Sequence, residues 1–112
     1  QQALVLLNDP TYVEAARAFA ARTLAESGDD DRRLTWAWRR ALQRMPEATE
    51  LATLRQVLAE RRKAYQVDPS AAQAFLKVGL TPPPAALAPA ELAAWTHVTR
   101  VLLNLHETIT RE

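Results

Sequence analysis

The stretch PAELAAWTHVTRVLLNLHET, residues 89–108, predicts the last and longest helix of the chain. Proline suits the first position of a helix, because the amide hydrogen that it lacks would have no partner there. Apolar side chains then recur at intervals of three or four residues, which is the spacing of one helix face. The predicted buried face of this helix consists of Trp95, Val98, Leu102, Leu105 and Ile109.

Start and stop signals in the preceding sequence delimit four further helices. Asp9-Pro10 and Asp68-Pro69 each place a capping carboxylate before a proline, which is typical of a helix start. Ser27-Gly28, Pro46 and Gly79 are typical of helix ends. The predicted helices run over about Pro10–Glu26, Asp31–Met45 and Ala48–Tyr65, with a short fourth helix between Pro69 and Gly79.

The second predicted helix carries one apolar stripe, which we expect to face the core. Its members recur at helical spacing. They are Leu34, Ala37, Trp38, Ala41, Leu42 and Met45.

The segments between and before these helices complete the predicted architecture. Residues 2–7 predict a short helical lead-in, and Thr81–Pro84 predicts an extended polyproline connector. No stretch alternates apolar and polar residues for long, so no strand is expected. The sequence therefore predicts an all-α fold, an irregular bundle of about five helices with the short N-terminal helical lead-in packed across it. Residues 1–112 fit one domain, which we expect to be a fragment from the C-terminal end of a larger protein.

Composition excludes several classes of function. The net charge of +1 provides no overall field for nucleic acid or an anionic membrane. Cysteine is absent, which excludes disulfides, thiolate metal sites, a cysteine nucleophile and c-type haem attachment within this chain. No apolar run approaches the roughly 20 residues of a membrane span. We therefore expect no cofactor in this chain.

Few polar residues are placed for catalysis or metal binding. His97 and His106 are nine residues apart on one predicted helix, which places them on opposite faces, so they are not expected to share a metal. The run Asp29–Asp31 lies before a helix and is interpreted as capping. Asp9 and His106 remain weak candidates for a site that other domains would complete.

Other charged residues are interpreted as solvated. These are the pair Glu14–Arg17 and the run Arg61–Lys63 at the end of the third helix, for which a phosphate-binding patch stays open as an alternative.

Trp36 is the unusual residue of the second helix. It lies outside the apolar stripe, and the positions three and four residues away on either side hold four arginines: Arg32, Arg33, Arg39 and Arg40. Tryptophan and arginine are enriched at interface hot spots, and arginine stacks on indole. Three interpretations stay open: Trp36 is covered by the apolar lead-in with Leu4 and Leu7 or by further chain, it contacts a protein partner, or it stacks on nucleic acid.

Three segments together resemble a known family. They are QALVLLNDP at residues 2–10, WRRALQRMP at residues 38–46 followed by Glu50-Leu51-Ala52, and RVLLNLHE at residues 100–107. The chain resembles the C-terminal part of a large bacterial family of unknown function, the PSD-type domain, which is found beside planctomycete-type cytochrome c modules. His106 stands where the late motif of the family usually has an acid or an amide.

The resemblance implies a context and transfers no catalytic residue. It implies a large exported multidomain protein, a periplasmic or other extracytoplasmic location, and haem, where present, bound elsewhere in the parent protein. The function we expect is a non-catalytic helical module that docks onto the rest of its parent polypeptide or onto another protein. The expected contact surface consists of Leu4–Leu7 and of Trp36 with its four arginines, Arg32, Arg33, Arg39 and Arg40. The alternatives are a nucleic-acid-binding domain that uses the arginine-rich second helix, which is less expected, and a contribution to an active site completed by other domains.

Overall fold

The computed structural model describes residues 10–77 and 87–111, with side chains described for residues 12–77 and 87–108. Within these residues there are five helices and no strand. This confirms the predicted all-α, five-helix fold. The helices are α1 (Pro10–Leu24), α2 (Asp30–Leu42), α3 (Ala48–Val67), α4 (Pro69–Leu76) and α5 (Pro89–Arg111).

Some sequence predictions fall outside the described residues. They are the lead-in with Leu4 and Leu7, the cap at Asp9, the stop at Gly79, the connector Thr81–Pro84 and the inward side chain of Ile109. Among the helices that are described, none combines the length and apolarity that a membrane crossing requires.

Helix α5 is the centre of the bundle, because each of the other four helices packs against it. Trp95, Val98 and Leu102 from its predicted face have no exposed surface. Ala93 and Ala94 are also fully buried, and their small side chains let neighbouring helices approach closely. The apolar stripe predicted from residues 89–108 therefore contributes the centre of the hydrophobic core.

The start of α2 follows from local chemistry. The carboxylate of Asp29 accepts a hydrogen bond from the backbone N–H of Arg32 at 3.0 Å, which confirms the predicted capping role of this acid. Gly28, just before the cap, has a φ of +119°, a conformation that residues with a side chain rarely adopt.

The end of α2 differs from the prediction, because the helix stops at Leu42 and not at Met45. Gln43 adopts a left-handed conformation with φ 60°, and its N–H donates to the carbonyl of Arg39 at 2.8 Å. Arg44 then pairs with both carboxylate oxygens of Glu50 on α3, at 2.9 and 2.7 Å. This pair links the turn after α2 to α3. Met45 leaves the apolar stripe and is 60% exposed, so its predicted burial was wrong.

Arg17 joins two helices inside the protein. Its Nη1 donates to the carbonyl oxygen of Leu76 at 2.6 Å, and only 4% of the residue is exposed. The prediction of a solvated pair with Glu14 was therefore wrong, although the two side chains lie 3.7 Å apart. A buried guanidinium needs such acceptors, since an unsatisfied buried charge is costly. The Arg17 hydrogen bond thus holds the C-terminal end of α4 against α1.

Arg62 links three helices. Its guanidinium donates to both carboxylate oxygens of Asp30 on α2, at 2.6 and 2.9 Å, and to both of Glu91 on α5, each at 2.8 Å. The hydrogen bonds from Arg62 hold the pKa of Asp30 below its usual range. The prediction that residues 61–63 form a solvated helix end was therefore wrong for Arg62.

Replacing Arg62 by alanine should lower the free energy of unfolding by about 1–2 kcal/mol, since charge-assisted hydrogen bonds to two acids are lost at a partly exposed site. Urea denaturation of the wild type and the variant measures this difference. The control is Lys63→Ala at the neighbouring exposed position, which should change stability by less than about 0.5 kcal/mol. Equal effects of the two substitutions would contradict a linking role for Arg62.

Candidate functional site

Trp36 is anchored on one side and open on the other. Its ring packs against Phe19 of α1, with ring centroids 6.3 Å apart and the planes tilted by 57°. The side chain is half-buried and adjoins the core without entering it. This position leaves part of the indole available to a partner. The predicted cover by Leu4 and Leu7 lies outside the described residues.

The four arginines around Trp36 have different roles. Arg33 turns back toward α1, where its Nε donates to the carbonyl of Glu26 at 2.9 Å and its Nη2 to that of Leu24 at 3.2 Å. Arg33 therefore donates hydrogen bonds to carbonyl groups at and just after the end of α1, as cations near a helix C-terminus do. Arg40 instead lies over the Trp36 ring, with its guanidinium carbon 5.6 Å from the ring centroid.

A shallow depression of about 520 Å³ lies beside Trp36. Arg39 and Arg40 line it together with Met45, which the early end of α2 has placed here. A second depression of about 330 Å³ lies on the other side of Trp36, where Arg32 and Arg39 line it. We refer to these five residues as the Trp36 surface: Arg32, Trp36, Arg39, Arg40 and Met45.

The Trp36 surface carries unpaired positive charge. Arg32, Arg39 and Arg40 form no ion pair with any residue in the described part of the chain. Two acids near this surface already have partners. Asp31 pairs with Arg55 at 2.7 and 3.0 Å, which lowers the pKa of that carboxyl group.

The second of these acids is Glu50. Its hydrogen bonds with Arg44 and the Glu47 backbone lower its pKa to about 2. The Trp36 surface is therefore apolar at its centre and positive at its rim.

The weak candidate His106 lies at a different place from His97. His106 is exposed and lines a shallow pocket with Phe19 and Arg40, whereas His97 faces α3 and α4. The two histidines are thus separate, as predicted. Among the residues that the structure describes, no group of three or more histidines or acids could hold a metal. The other weak candidate, Asp9, is outside those residues.

His97 forms a ring cluster that sequence reasoning missed. Its Nε2 lies 2.7 Å from the hydroxyl oxygen of Tyr65 on α3. The imidazole ring of His97 also stacks on the Phe75 ring of α4. The two ring centroids are 4.5 Å apart, and the ring planes are inclined by 12°. The pairing spans 32 residues of sequence, so no local spacing reveals it. The available signal was Tyr65 itself, since the hydroxyl of a buried tyrosine usually has a hydrogen-bond partner.

The environment of His97 favours its neutral form. Burial of the ring, followed by the positive charges of Arg61 and Arg100, lowers the pKa of His97 to about 4. Burial also raises the pKa of the Tyr65 hydroxyl. At neutral pH the Tyr65–His97 contact is therefore a hydrogen bond between two uncharged groups.

Acid should destabilise the protein through His97. An unfolded histidine titrates near pH 6.5 and the folded one near pH 4, so the unfolded state binds an additional proton between these values. The stabilising contribution is complete above about pH 6.5 and is lost as the pH falls toward 4, by about 1–3 kcal/mol for a ring that keeps some contact with water.

Melting curves of the wild type and His97→Gln between pH 7.5 and 4.5 test this prediction. The wild type should lose stability more steeply than the variant, whose side chain does not titrate. The carboxylates and His106 are shared by both proteins and cancel in the comparison. Parallel curves would show that His97 does not titrate differently in the folded and unfolded states.

Comparison with known proteins gives one assignment. The family model described as PSD1, protein of unknown function (DUF1553), matches residues 1–58. The chain belongs to this family. No curated protein and no solved structure matches the chain.

The family match confirms the resemblance to the PSD-type family over residues 1–58. The matched range includes α1, α2 and the first half of α3, and hence the whole Trp36 surface. The motif at residues 100–107 and the His97 ring cluster lie mostly beyond it.

Proposed function

We propose that this chain is a non-catalytic helical module of a larger exported bacterial protein and docks through its Trp36 surface onto an acidic segment of that protein. The observation that carries the proposal is a half-exposed tryptophan beside an exposed methionine, with a rim of three arginines that pair with no acid among the described residues. The exported, multidomain context rests on the family resemblance, as does haem bound elsewhere in the parent protein.

The composition of the Trp36 surface favours a protein partner. Tryptophan, methionine and arginine are enriched at protein interfaces, and hot spots usually consist of an aromatic anchor surrounded by less important contacts. Trp36 is held by Phe19, so it can act as such an anchor. The exposed Met45 offers a flexible apolar contact beside it.

The charge of the surface favours an acidic partner. Arg32, Arg39 and Arg40 have no acid of their own in the described residues. Planar guanidinium groups pair with carboxylates through two parallel hydrogen bonds. A partner segment with one apolar side chain between acidic residues would match both the centre and the rim.

Site-specific photo-crosslinking in the full-length gene product tests this docking. A photoreactive residue at position 45 should form crosslinks to acidic segments outside residues 1–112, identified by mass spectrometry. Position 67 is the matched control, since Val67 is also a large apolar residue and is 80% exposed. If position 45 yields no more crosslinks to the parent protein than position 67, the proposal is wrong.

Charge reversal distinguishes the two kinds of partner. Arg39→Glu with Arg40→Glu should reduce the crosslinking yield at position 45 at least tenfold, whereas Lys63→Glu, an exposed control on α3, should leave it unchanged. Nucleic acid would behave differently, because each phosphate contact steepens the salt dependence of binding. The slope of the logarithm of the binding constant against the logarithm of the salt concentration measures this dependence. If the chain binds a single-stranded oligonucleotide and the double variant reduces the size of this slope by more than one, the surface binds nucleic acid and not a protein.

A further inference from the structure

A third depression lies between α3 and α5, and several polar groups line it. It shares no residue with the Trp36 surface. Its volume is about 340 Å³, near the lower end of the roughly 300–1,000 Å³ of small-molecule pockets. We call it the His97 groove. The apolar side chains that line it are Val57, Val101 and Leu105, and the basic ones are Arg61, His97 and Arg100.

Arg61 supplies a positive charge to the groove. Arg61 is exposed and pairs with no acid in the described residues. Arg100 approaches from the opposite helix, with its guanidinium carbon 5.7 Å from the Phe75 ring centroid. Glu60 is the acid that lines the groove, and its carboxylate accepts a hydrogen bond from the Gln56 amide at 3.3 Å. The carboxylate of Glu60 forms no ion pair with Arg61, which leaves the Arg61 guanidinium able to pair with a ligand.

His97 adds a hydrogen-bonding atom to the groove. Tyr65 occupies Nε2, and Nδ1 makes no hydrogen bond with a described residue. When the Tyr65 hydroxyl donates to Nε2, the neutral ring carries its hydrogen on Nδ1 and can donate to an anion. The stacked Phe75 ring holds the imidazole in place, so this donor is positioned before any ligand arrives.

We propose that the His97 groove binds a small carboxylate with a short apolar tail. The carboxylate would pair with Arg61 and accept a hydrogen bond from His97. The tail would lie on Val57, Val101 and Leu105. Both parts are needed, because the groove combines a positive end with an apolar wall and has room for only a few carbon atoms beyond the carboxylate. This proposal does not depend on docking at the Trp36 surface.

Nuclear magnetic resonance titration of the chain with hexanoate at pH 7 tests the proposal. The imidazole signals of His97 and the side-chain N–H signals of Arg61 should shift and saturate at millimolar hexanoate. Hexanamide, the uncharged analogue of the same length, should bind at least tenfold more weakly. Equal binding of the two compounds, or shifts that do not saturate by 50 mM hexanoate, would overturn the proposal.

A matched pair of variants locates the binding. Arg61→Gln removes the charge inside the groove and should weaken hexanoate binding at least tenfold. Lys63→Gln removes one charge from the same helix at an exposed position outside the groove, and should leave binding within twofold of the wild type. Circular dichroism checks that both variants fold, as expected at exposed sites. If both variants bind like the wild type, Arg61 does not hold the carboxylate and the proposal fails.

The carboxylate could belong to a free fatty-acid-like metabolite or to the C-terminus of a peptide that ends in an apolar residue. Hexanoate represents the first source and N-acetylleucine the second. The compound that binds more tightly assigns the source, and the failure of both to bind overturns the proposal.

Discussion

Burial of α5 is the constraint on which the structure depends. All four other helices pack on this one helix, so its sequence has to present apolar surface in several directions at once. The hydroxyl groups of Thr96 and Thr99 are nevertheless buried, and they remain satisfied through backbone carbonyls. Thr96 donates to Leu92 at 2.6 Å, and Thr99 donates to Ala16 of α1 at 2.7 Å. Buried polar groups without such partners would cost about 1–3 kcal/mol each.

Arginines tie the helices of the bundle to one another. Arg17 bonds the end of α4 from α1, and Arg62 joins α3 to acids on α2 and α5. Arg33 satisfies the carbonyls after α1. Arginine suits these positions because its planar group offers five donors in fixed directions. The contacts of each arginine therefore indicate its role. An arginine such as Arg33 holds the fold together, whereas an arginine such as Arg39 remains open to a ligand.

Local signals in the sequence were sufficient for the helices but not for the sites. Pro89 and the carboxylate of Asp29 act within one helical turn, so the start of α5 and the cap of α2 could be predicted from neighbouring residues. The exposure of Met45 could not, because α2 ends at Leu42 and Arg44 pairs with Glu50 of the next helix, a contact between helices that local spacing does not predict. The contact of His97 with Tyr65 depends on how α3 packs on α5, which periodicity does not specify. The surface role of Trp36 was predicted from its neighbours and remains untested.

Contacts within the chain hold several residues of the Trp36 surface, which favours the proposed docking role. Phe19 fixes the indole of Trp36, and Arg40 stacks on the ring. The Arg44–Glu50 pair fixes the turn that carries Met45. Ordering mobile side chains on binding costs about 0.5–1.5 kcal/mol each, and here much of that ordering occurs during folding. A partner would mainly have to immobilise Arg32 and Arg39, which are the two residues of the surface that make no comparable contact.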